Sequence, residues 1–298
     1  MSKSLILVTG ATGKTGGAVV RQLLGLGYPV RATVRTRDGR AESLEALGAQ
    51  VIVTDFHDLS SMQVAMEGVE RVYFVYPPQG DRLIEATTIA ATAAQSAGVR
   101  ALVNMSQISA RPDSNSPLAR HHWLSERVLD WADVGAIHIR PTFFAEMLTI
   151  LGAETIASEG KLYLPYGDGR HAPVTASDIA LVVVGLLSNP EAHIGQRYVL
   201  TGPKNLTIAE MASVLSKELG QPVEYVDLPV DVWGDIISGV DQMNEFLVTH
   251  LKAVAVDHQN GIMSGVTDVV ERIGGCPPQS LPEFIRENIE AFGVASFA

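Results

Sequence analysis

Short apolar runs alternate with segments of helical periodicity over the first half of the chain. The runs have the length and β-branched content of buried strands, and they cover residues 5–8, 28–34, 50–54, 69–76, 101–105 and 136–140. Between them, apolar residues recur at spacings of three and four, as in helices that pack on a sheet. Strict alternation of strand and helix predicts an α/β fold with a Rossmann-type, doubly wound parallel sheet.

The stretch 8–17 lies between the first strand and the first helix and is rich in glycine. Gly10, Gly13 and Gly16 have the spacing G-x-x-G-x-x-G. The first glycine can adopt a left-handed φ, the second leaves room for a pyrophosphate, and the third lets the helix pack closely on the strand. Free N–H groups and the dipole at the helix start attract phosphates. The stretch therefore predicts a dinucleotide site formed by Gly10, Thr12, Gly13, Lys14, Thr15 and Gly16.

A mononucleotide P-loop is one alternative for this stretch, because Gly13, Lys14 and Thr15 match the end of a Walker A motif. That motif needs a glycine at position 8, where this chain has Val8. A purely structural glycine turn is the second alternative. The position directly after the first strand favours the dinucleotide site over both.

Residues that follow the predicted strands should line one edge of the sheet, where ligands bind in this architecture. Arg35 follows the second strand and can pair with a 2′-phosphate, so NADP(H) is the expected cofactor and NAD(H) the alternative. A solvated loop is the other interpretation of this arginine. Asp55 can accept from the adenine amino group while Phe56 packs on the ring, or Asp55 can start a helix. Tyr76 and Ser106 follow the next two strands.

Composition narrows the function classes. The net charge of −11 disfavours direct binding to nucleic acid. One cysteine, Cys276, excludes an intramolecular disulfide and fits a reducing compartment. No apolar run approaches the roughly 18 residues of a membrane-spanning helix, and the protein is expected to be cytoplasmic. No metal-ligand spacing is present, so no metal site is expected.

Several segments together resemble the NmrA-like branch of the atypical short-chain dehydrogenase/reductases. They are residues 9–16, 30–35, 103–106, 139–146 and 198–203. The resemblance implies a Rossmann domain that binds NADP(H) and a smaller, mostly helical C-terminal lobe that closes over the nicotinamide. It also implies that Arg35 contacts the 2′-phosphate and that Pro141, Thr142 and Phe143 lie by the nicotinamide. Met147 is a departure, since many relatives have asparagine in this stretch.

The resemblance also suggests how the chain is divided. We expect residues 1–140 and 172–201 to form the NAD(P)-binding domain. Residues 141–171 and 202–298 are expected to form the smaller substrate or partner lobe. The expected partner is a small-molecule acceptor rather than a membrane, and a homodimer is left open.

The predicted helix after the fifth strand, residues 117–133, lacks the Tyr-x-x-x-Lys pair of ordinary short-chain dehydrogenases. Its register puts His122 in the place of the tyrosine and Glu126 in the place of the lysine, and Ser106 keeps the place of the serine. A spacing of four puts both on one helix face, so Glu126 would raise the pKa of His122, which could then act as an acid. The alternative is an exposed His–Glu pair that contributes a few tenths of a kcal/mol, and His121 is a competing imidazole.

The missing tyrosine does not prevent hydride transfer to a quinone, an azo dye or a conjugated cation. The sequence therefore predicts an NAD(P)H-dependent oxidoreductase that reduces an electron-poor, planar acceptor, with His122 and Ser106 as catalytic candidates. A non-catalytic NADP(H)-sensing regulatory protein of the NmrA type is the main alternative. A sugar-nucleotide epimerase or dehydratase is disfavoured by the absent pair. Aromatic residues that either wall the acceptor site or pack in the core are Phe143, Phe144, Tyr163, Tyr166, Trp233 and Phe246.

Overall fold

The computed structural model describes residues 3–78, 80–240 and 243–293. The parts of the predicted domains at residues 1–2, 79, 241–242 and 294–298 lie outside these ranges. The strands are β1 (Ile6–Val8), β2 (Val30–Val34), β3 (Gln50–Val53), β4 (Arg71–Phe74), β5 (Ala101–Met105), β6 (Ala136–Pro141), β7 (Lys161–Leu164), β8 (Arg170–His171), β9 (Arg197–Leu200), β10 (Leu206–Thr207) and β11 (Glu224–Asp227). The helices are α1 (Lys14–Gly25), α2 (Gly39–Ala46), α3 (Leu59–Met66), α4 (Leu83–Ala97), α5 (Pro117–Trp131), α6 (Glu146–Glu159), α7 (Ala176–Ser188), α8 (Ile208–Leu219), α9 (Val230–Ser238), α10 (Glu245–Gln259), α11 (Val269–Gly274) and α12 (Leu281–Glu287).

A seven-stranded parallel sheet with the order β3-β2-β1-β4-β5-β6-β9 forms the centre of the molecule. The order reverses at β1, which pairs with β2 on one side and β4 on the other. This reversal is the topological switch point at which Rossmann-type sheets bind their ligands. The predicted Rossmann-type fold is confirmed.

The central strands of the sheet are buried on both faces, as their continuous apolar runs predict. In β1, Ile6 and Val8 pack in the core beneath α1 and α7, whereas Leu7 packs in the core beneath α3, α4 and α5. Successive side chains of a strand point to opposite faces, which explains this division. Because the strands are parallel, their carboxyl ends lie along one edge of the sheet.

A further apolar core lies outside the sheet and joins α6, α8, α9, α10 and α12. Two small sheets accompany it, in which β7 pairs with β11 in parallel and β8 pairs with β10 antiparallel. Helix α6 has no counterpart among the predicted elements. Its N-cap, Ala145, makes no side-chain capping bond, so the usual start signal is missing.

Helix α11 is an exception to the expected division of the chain. It lies within 202–298, yet Val269 and Val270 belong to the core beneath α1 and α7. A Cβ on Gly185 of α7 would collide with the carbonyl oxygen of Ile273, which shows how closely the two helices pack. The boundaries of the two domains stay a prediction. Within the described ranges, no helix combines the length and hydropathy that crossing a bilayer requires.

Candidate active site

The glycine-rich turn after β1 leaves the start of α1 without a side-chain cap. Gly10 has a φ of 56°, in the left-handed region, and its carbonyl accepts from the Gly13 N–H over 2.9 Å. Gly13 is the N-cap of α1 and offers no side chain to the first N–H groups of the helix. These groups can therefore bind an anion, and the cradle fits the pyrophosphate of a dinucleotide.

The glycines of this turn differ in how strictly the fold requires them. A Cβ on Gly16 would collide with the carbonyl oxygen of Gly10, so this position needs glycine for the fold itself. A Cβ on Gly13 would lie 3.2 Å from the same oxygen, and Gly13 is exposed.

Thr15 is buried, and its Oγ1 accepts from the hydroxyl of Tyr73 over 3.2 Å. The side chain of Thr15 thus faces the sheet, and the backbone is what it can offer to a phosphate.

Two cations that follow β1 and β2 in the chain have no hydrogen-bond or ion-pair partner among the described residues. Lys14 at the start of α1 and Arg35 after β2 are exposed and form no hydrogen bond or ion pair with a described residue. By contrast, Arg37 pairs with Glu45 over 2.8 Å, and Arg40 pairs with the α2 N-cap, Asp38. Arg35 is therefore the arginine in this loop whose guanidinium is available to a 2′-phosphate.

Asp55 forms a local turn after β3. Its Oδ1 accepts from the N–H of His57 over 2.9 Å, and its own N–H donates to Ser61 over 3.1 Å. The N-cap of α3 is Asp58, which accepts from two backbone N–H groups. The alternative in which Asp55 starts the helix is therefore wrong, and its role toward adenine stays a prediction.

Phe56 and Tyr76 pack against each other beside the same loop. Their rings meet edge to face at 5.6 Å, and Phe56 also contacts the ring of Phe74 at 6.1 Å. The hydroxyl of Tyr76 lies 3.1 Å from Nε2 of His57. The ring of Phe56 is thus held by its aromatic neighbours at the carboxyl ends of β3 and β4.

A buried carboxylate lies behind the ends of β5 and β6. Glu126 on α5 has no exposed surface, and its Oε1 accepts from the Ser106 hydroxyl over 2.6 Å. Arg140 donates to both carboxylate oxygens, at 2.8 and 2.6 Å, and Nε of Arg197 donates over 3.1 Å. Burial alone would raise the pKa of Glu126, but hydrogen bonds from Arg140 and Ser106 bring the pKa below its usual value.

Sequence reasoning missed this cluster of charges. The arginines lie 14 and 71 residues beyond Glu126 in the chain, and only the pairing of β6 with β9 brings them together. Asp130, one turn farther along α5, extends the network to Arg197 and to Nε2 of His138. An arginine directly before the strand-ending Pro141 was the one available signal.

His122 is neutral rather than an activated acid. Burial and, to a smaller extent, the neighbouring His250 lower its pKa to about 3, whereas Glu126 raises the pKa too little to compensate. The expected rise in the pKa of His122 is therefore wrong. The physical reason is burial of the imidazole, which outweighs the charge of Glu126. Nδ1 of His122 is buried and has no hydrogen-bond partner among the described residues.

Helix α10 covers α5 and the loop before it. The hydroxyl of Ser116, the N-cap of α5, lies 2.7 Å from Nδ1 of His250. Phe246 stacks on His121 at 5.7 Å between ring centres. The sequence offered Phe246 as a wall or as core, and the structure places it half-buried at this contact between the two helices.

A second link holds the C-terminal end of α10 to the β5–α5 loop. Asp257 is buried and accepts from both terminal nitrogens of Arg111, at 2.8 and 2.6 Å. A bidentate pair of this kind fixes orientation as well as distance. Helix α10 is therefore tied to the Rossmann domain at both of its ends.

Thr142 and Phe143 follow β6 and are directed into the protein. The hydroxyl of Thr142 donates to the carbonyl of Ala172 over 2.8 Å. Phe143 contacts the rings of His171 at 4.6 Å and Tyr166 at 5.8 Å. Tyr166 in turn stacks flat on His258 at 4.1 Å. Phe143 is thus a buried member of a cluster of rings with Tyr166, His171 and His258, and Pro141, two residues before it, ends β6.

The described residues contain no group of three or more histidine, cysteine or acidic side chains that could hold a metal ion. The candidate site comprises the glycine-rich turn, the side chains of Lys14 and Arg35, and the residues Ser106, His122 and Phe143. These residues follow β1, β2, β5 and β6 or lie on α5, so the topology brings them to the same edge of the sheet.

A family model described as "NmrA-like family" matches residues 2–273. The chain belongs to the NmrA-like family. An NAD(P)H azoreductase from Xenophilus azovorans is 33% identical over 293 residues, which cover 98% of this chain and 100% of the relative. A (4-alkanoyl-5-oxo-2,5-dihydrofuran-3-yl)methyl phosphate reductase from Streptomyces griseus is 30% identical, covering 97% of this chain and 99% of the relative. The resemblance seen in the sequence is confirmed.

A solved structure supports the same assignment. An NADPH-dependent quinone oxidoreductase from Escherichia coli, in complex with NADPH, superposes with a TM-score of 0.83 at 25% identity. The match covers 95% of this chain and 99% of that protein. The likeness therefore extends over the Rossmann domain and the smaller lobe together.

Proposed function

We propose that this member of the NmrA-like family transfers a hydride from NADPH to an electron-poor, planar acceptor such as a quinone, an azo compound or another conjugated compound. The protein is an NAD(P)H-dependent reductase, related over its whole length to an NAD(P)H azoreductase. Its cofactor is NADP(H). The acceptor class is the part that we add.

One observation carries the choice of acceptor, namely the state of the helix that bears His122. The pKa of His122 is lowered to about 3, so its imidazole is neutral and a poor acid at neutral pH. Glu126 is ionised and fully engaged by Arg140, Arg197 and Ser106. A helix without a strong proton donor favours an acceptor that stabilises the added electron pair within its own conjugated system.

The chain's own residues would hold the cofactor through the glycine-rich turn. The N–H groups at the start of α1 would bind the pyrophosphate, and Arg35, with Lys14 near the turn, would bind the 2′-phosphate. Bound NADPH supplies the hydride from its nicotinamide ring. We assign Asp55, Phe56 and Tyr76 to the adenine side, and Pro141, Thr142 and Phe143 to the nicotinamide side. Neutral His122 would offer an acceptor a hydrogen bond and not a proton.

The test is consumption of NADPH by the purified protein against a panel of quinones, azo dyes and conjugated cations. We expect steady turnover with at least one class and little turnover with simple aliphatic ketones, which need a proton donor. The alternative of an NADP(H)-sensing regulator predicts tight binding of NADPH and no turnover with any acceptor. Turnover of aliphatic ketones as fast as of quinones would contradict the proposed acceptor class.

A further inference from the structure

The direction of one hydrogen bond decides what Ser106 can offer to the site. Arg140 and Arg197 keep Glu126 ionised, and an ionised carboxylate can only accept hydrogen bonds. The 2.6 Å bond between Ser106 and Glu126 is therefore donated by the serine hydroxyl. A hydroxyl carries one proton, so Ser106 has none left for a bound acceptor, and its remaining lone pairs can only accept.

Glu126 also joins the pieces of chain that surround this hydroxyl. It follows His122 by one helical turn, so both lie on the same face of α5. Arg140, which donates to both of its oxygens, directly precedes Pro141 at the end of β6. The N–H of Ser106 donates to the carbonyl of Ile139 over 2.8 Å, which ties the end of β5 to the same place. One buried carboxylate thus couples α5 to the ends of both strands.

We propose that Glu126 is a positioning residue of the hydride transfer, which holds Ser106 as a hydrogen-bond acceptor and fixes α5 against the ends of β5 and β6. This inference rests on the proposed reductase function. Ser106 then receives an N–H or O–H group of the bound reactants and does not donate a proton to the acceptor.

Asp130 provides a matched control on the same helix. It lies one turn after Glu126 and pairs with Arg127 over 2.8 Å, with His138 over 3.0 Å and with Arg197. It forms no hydrogen bond or ion pair with Ser106 or Arg140, whose side-chain hydrogen bonds go to Glu126. Asp130→Asn therefore perturbs the shared ion network and leaves the positioned hydroxyl in place.

The experiment compares Glu126→Gln, Asp130→Asn, Ser106→Ala and the Glu126→Gln/Ser106→Ala double variant in kcat with a quinone acceptor and in Kd for NADPH. Loss of a positioned group predicts a fall in kcat of about ten- to a hundredfold for Glu126→Gln. We expect Asp130→Asn to stay within about threefold of the wild type, as is usual for part-exposed ion pairs. The double variant should be no slower than the slower single variant, because both substitutions remove the same arrangement.

A purely structural role would give a different pattern. Equal losses in Glu126→Gln and Asp130→Asn, or additive losses in the double variant, overturn the inference and leave the reductase function intact. If Glu126→Gln does not fold, Arg140→Lys replaces it in the experiment, since lysine keeps the charge and removes the bidentate hydrogen bonds to Glu126. An Arg140→Lys variant with wild-type kcat also overturns the inference. No turnover by the wild type with any acceptor overturns the proposed function, and the positioning role falls with it.

Discussion

At the scale of the residue, the cofactor site is defined by which charges are left without a partner. Arg37 and Arg40 are neutralised by Glu45 and Asp38, so the loop after β2 offers one free guanidinium, that of Arg35. An acidic residue at this position would instead bind the ribose hydroxyls of NAD. We therefore propose that this loop binds a negatively charged group of the ligand.

Substitution of Arg35 should separate the two nucleotides. Charge-assisted hydrogen bonds contribute on the order of 1.5–3 kcal/mol. Arg35→Ala should therefore weaken the binding of NADPH by about ten- to a hundredfold and leave the binding of NADH nearly unchanged. Arg37→Ala is the matched control, because the side chain of Arg37 already pairs with Glu45. Dissociation constants for both nucleotides at one salt concentration decide the matter. A wild type that binds NADH as tightly as NADPH would contradict the assignment.

Single residues also show where reasoning from the sequence ends. The glycine spacing identified the turn because the requirement at Gly16 is local, between residues six apart in the chain. The pKa of His122 is lowered first by burial, which outweighs the charge of Glu126. Helical spacing predicts that His122 and Glu126 share one face of α5, but it carries no information on how deeply that face is buried.

At the scale of the element, the Rossmann sheet could be predicted almost completely. Its strands are continuous apolar runs, and most of its helices end at glycines. Hydrophobic periodicity and helix-ending glycines are therefore enough to locate these elements in the sequence. The smaller lobe could not be predicted in the same way. Helix α6 has no capping side chain, and β8 and β10 have two residues each, too few for any periodicity. What specifies these elements is the tertiary core shared by α6, α8 and α10.

At the scale of the whole molecule, burial keeps histidines neutral both where α5 meets α10 and within the smaller lobe. His121 and His122 come from α5, His171 from β8, and His250 and His258 from α10. Burial is the largest cause of a lowered pKa in each of them. Groups of this kind couple the stability of the protein to pH.

The sign of this coupling is fixed by the unfolded state. An unfolded histidine takes up a proton below about pH 6.5, whereas the pKa of buried His258 is about 4 and that of His171 lies well below its usual value. Stability is therefore full above pH 6.5 and is lost as the pH falls. Each of these two residues should lower the free energy of unfolding by about 1 kcal/mol between pH 7 and pH 5.5.

Urea unfolding at pH 7.0, 6.0 and 5.5 measures this loss, and His171→Phe is the informative variant. Phenylalanine fits a cluster of aromatic rings and binds no proton when it is unfolded, so the variant should lose less stability than the wild type by about 1 kcal/mol over this range. Equal pH dependence in both proteins, or a wild type whose stability rises on acidification, would contradict the neutral state of His171.

The most direct test of the account follows the hydride itself. NADPH labelled with deuterium at one face of the nicotinamide C4 is mixed with the protein and a conjugated acceptor that is reduced at carbon, and the product is analysed by mass spectrometry. We predict that the label appears in the reduced acceptor from one of the two C4 diastereomers and not from the other. Tight binding of NADPH with no label transferred from either diastereomer to any acceptor of the panel would contradict the reductase function and favour a protein that senses the nucleotide.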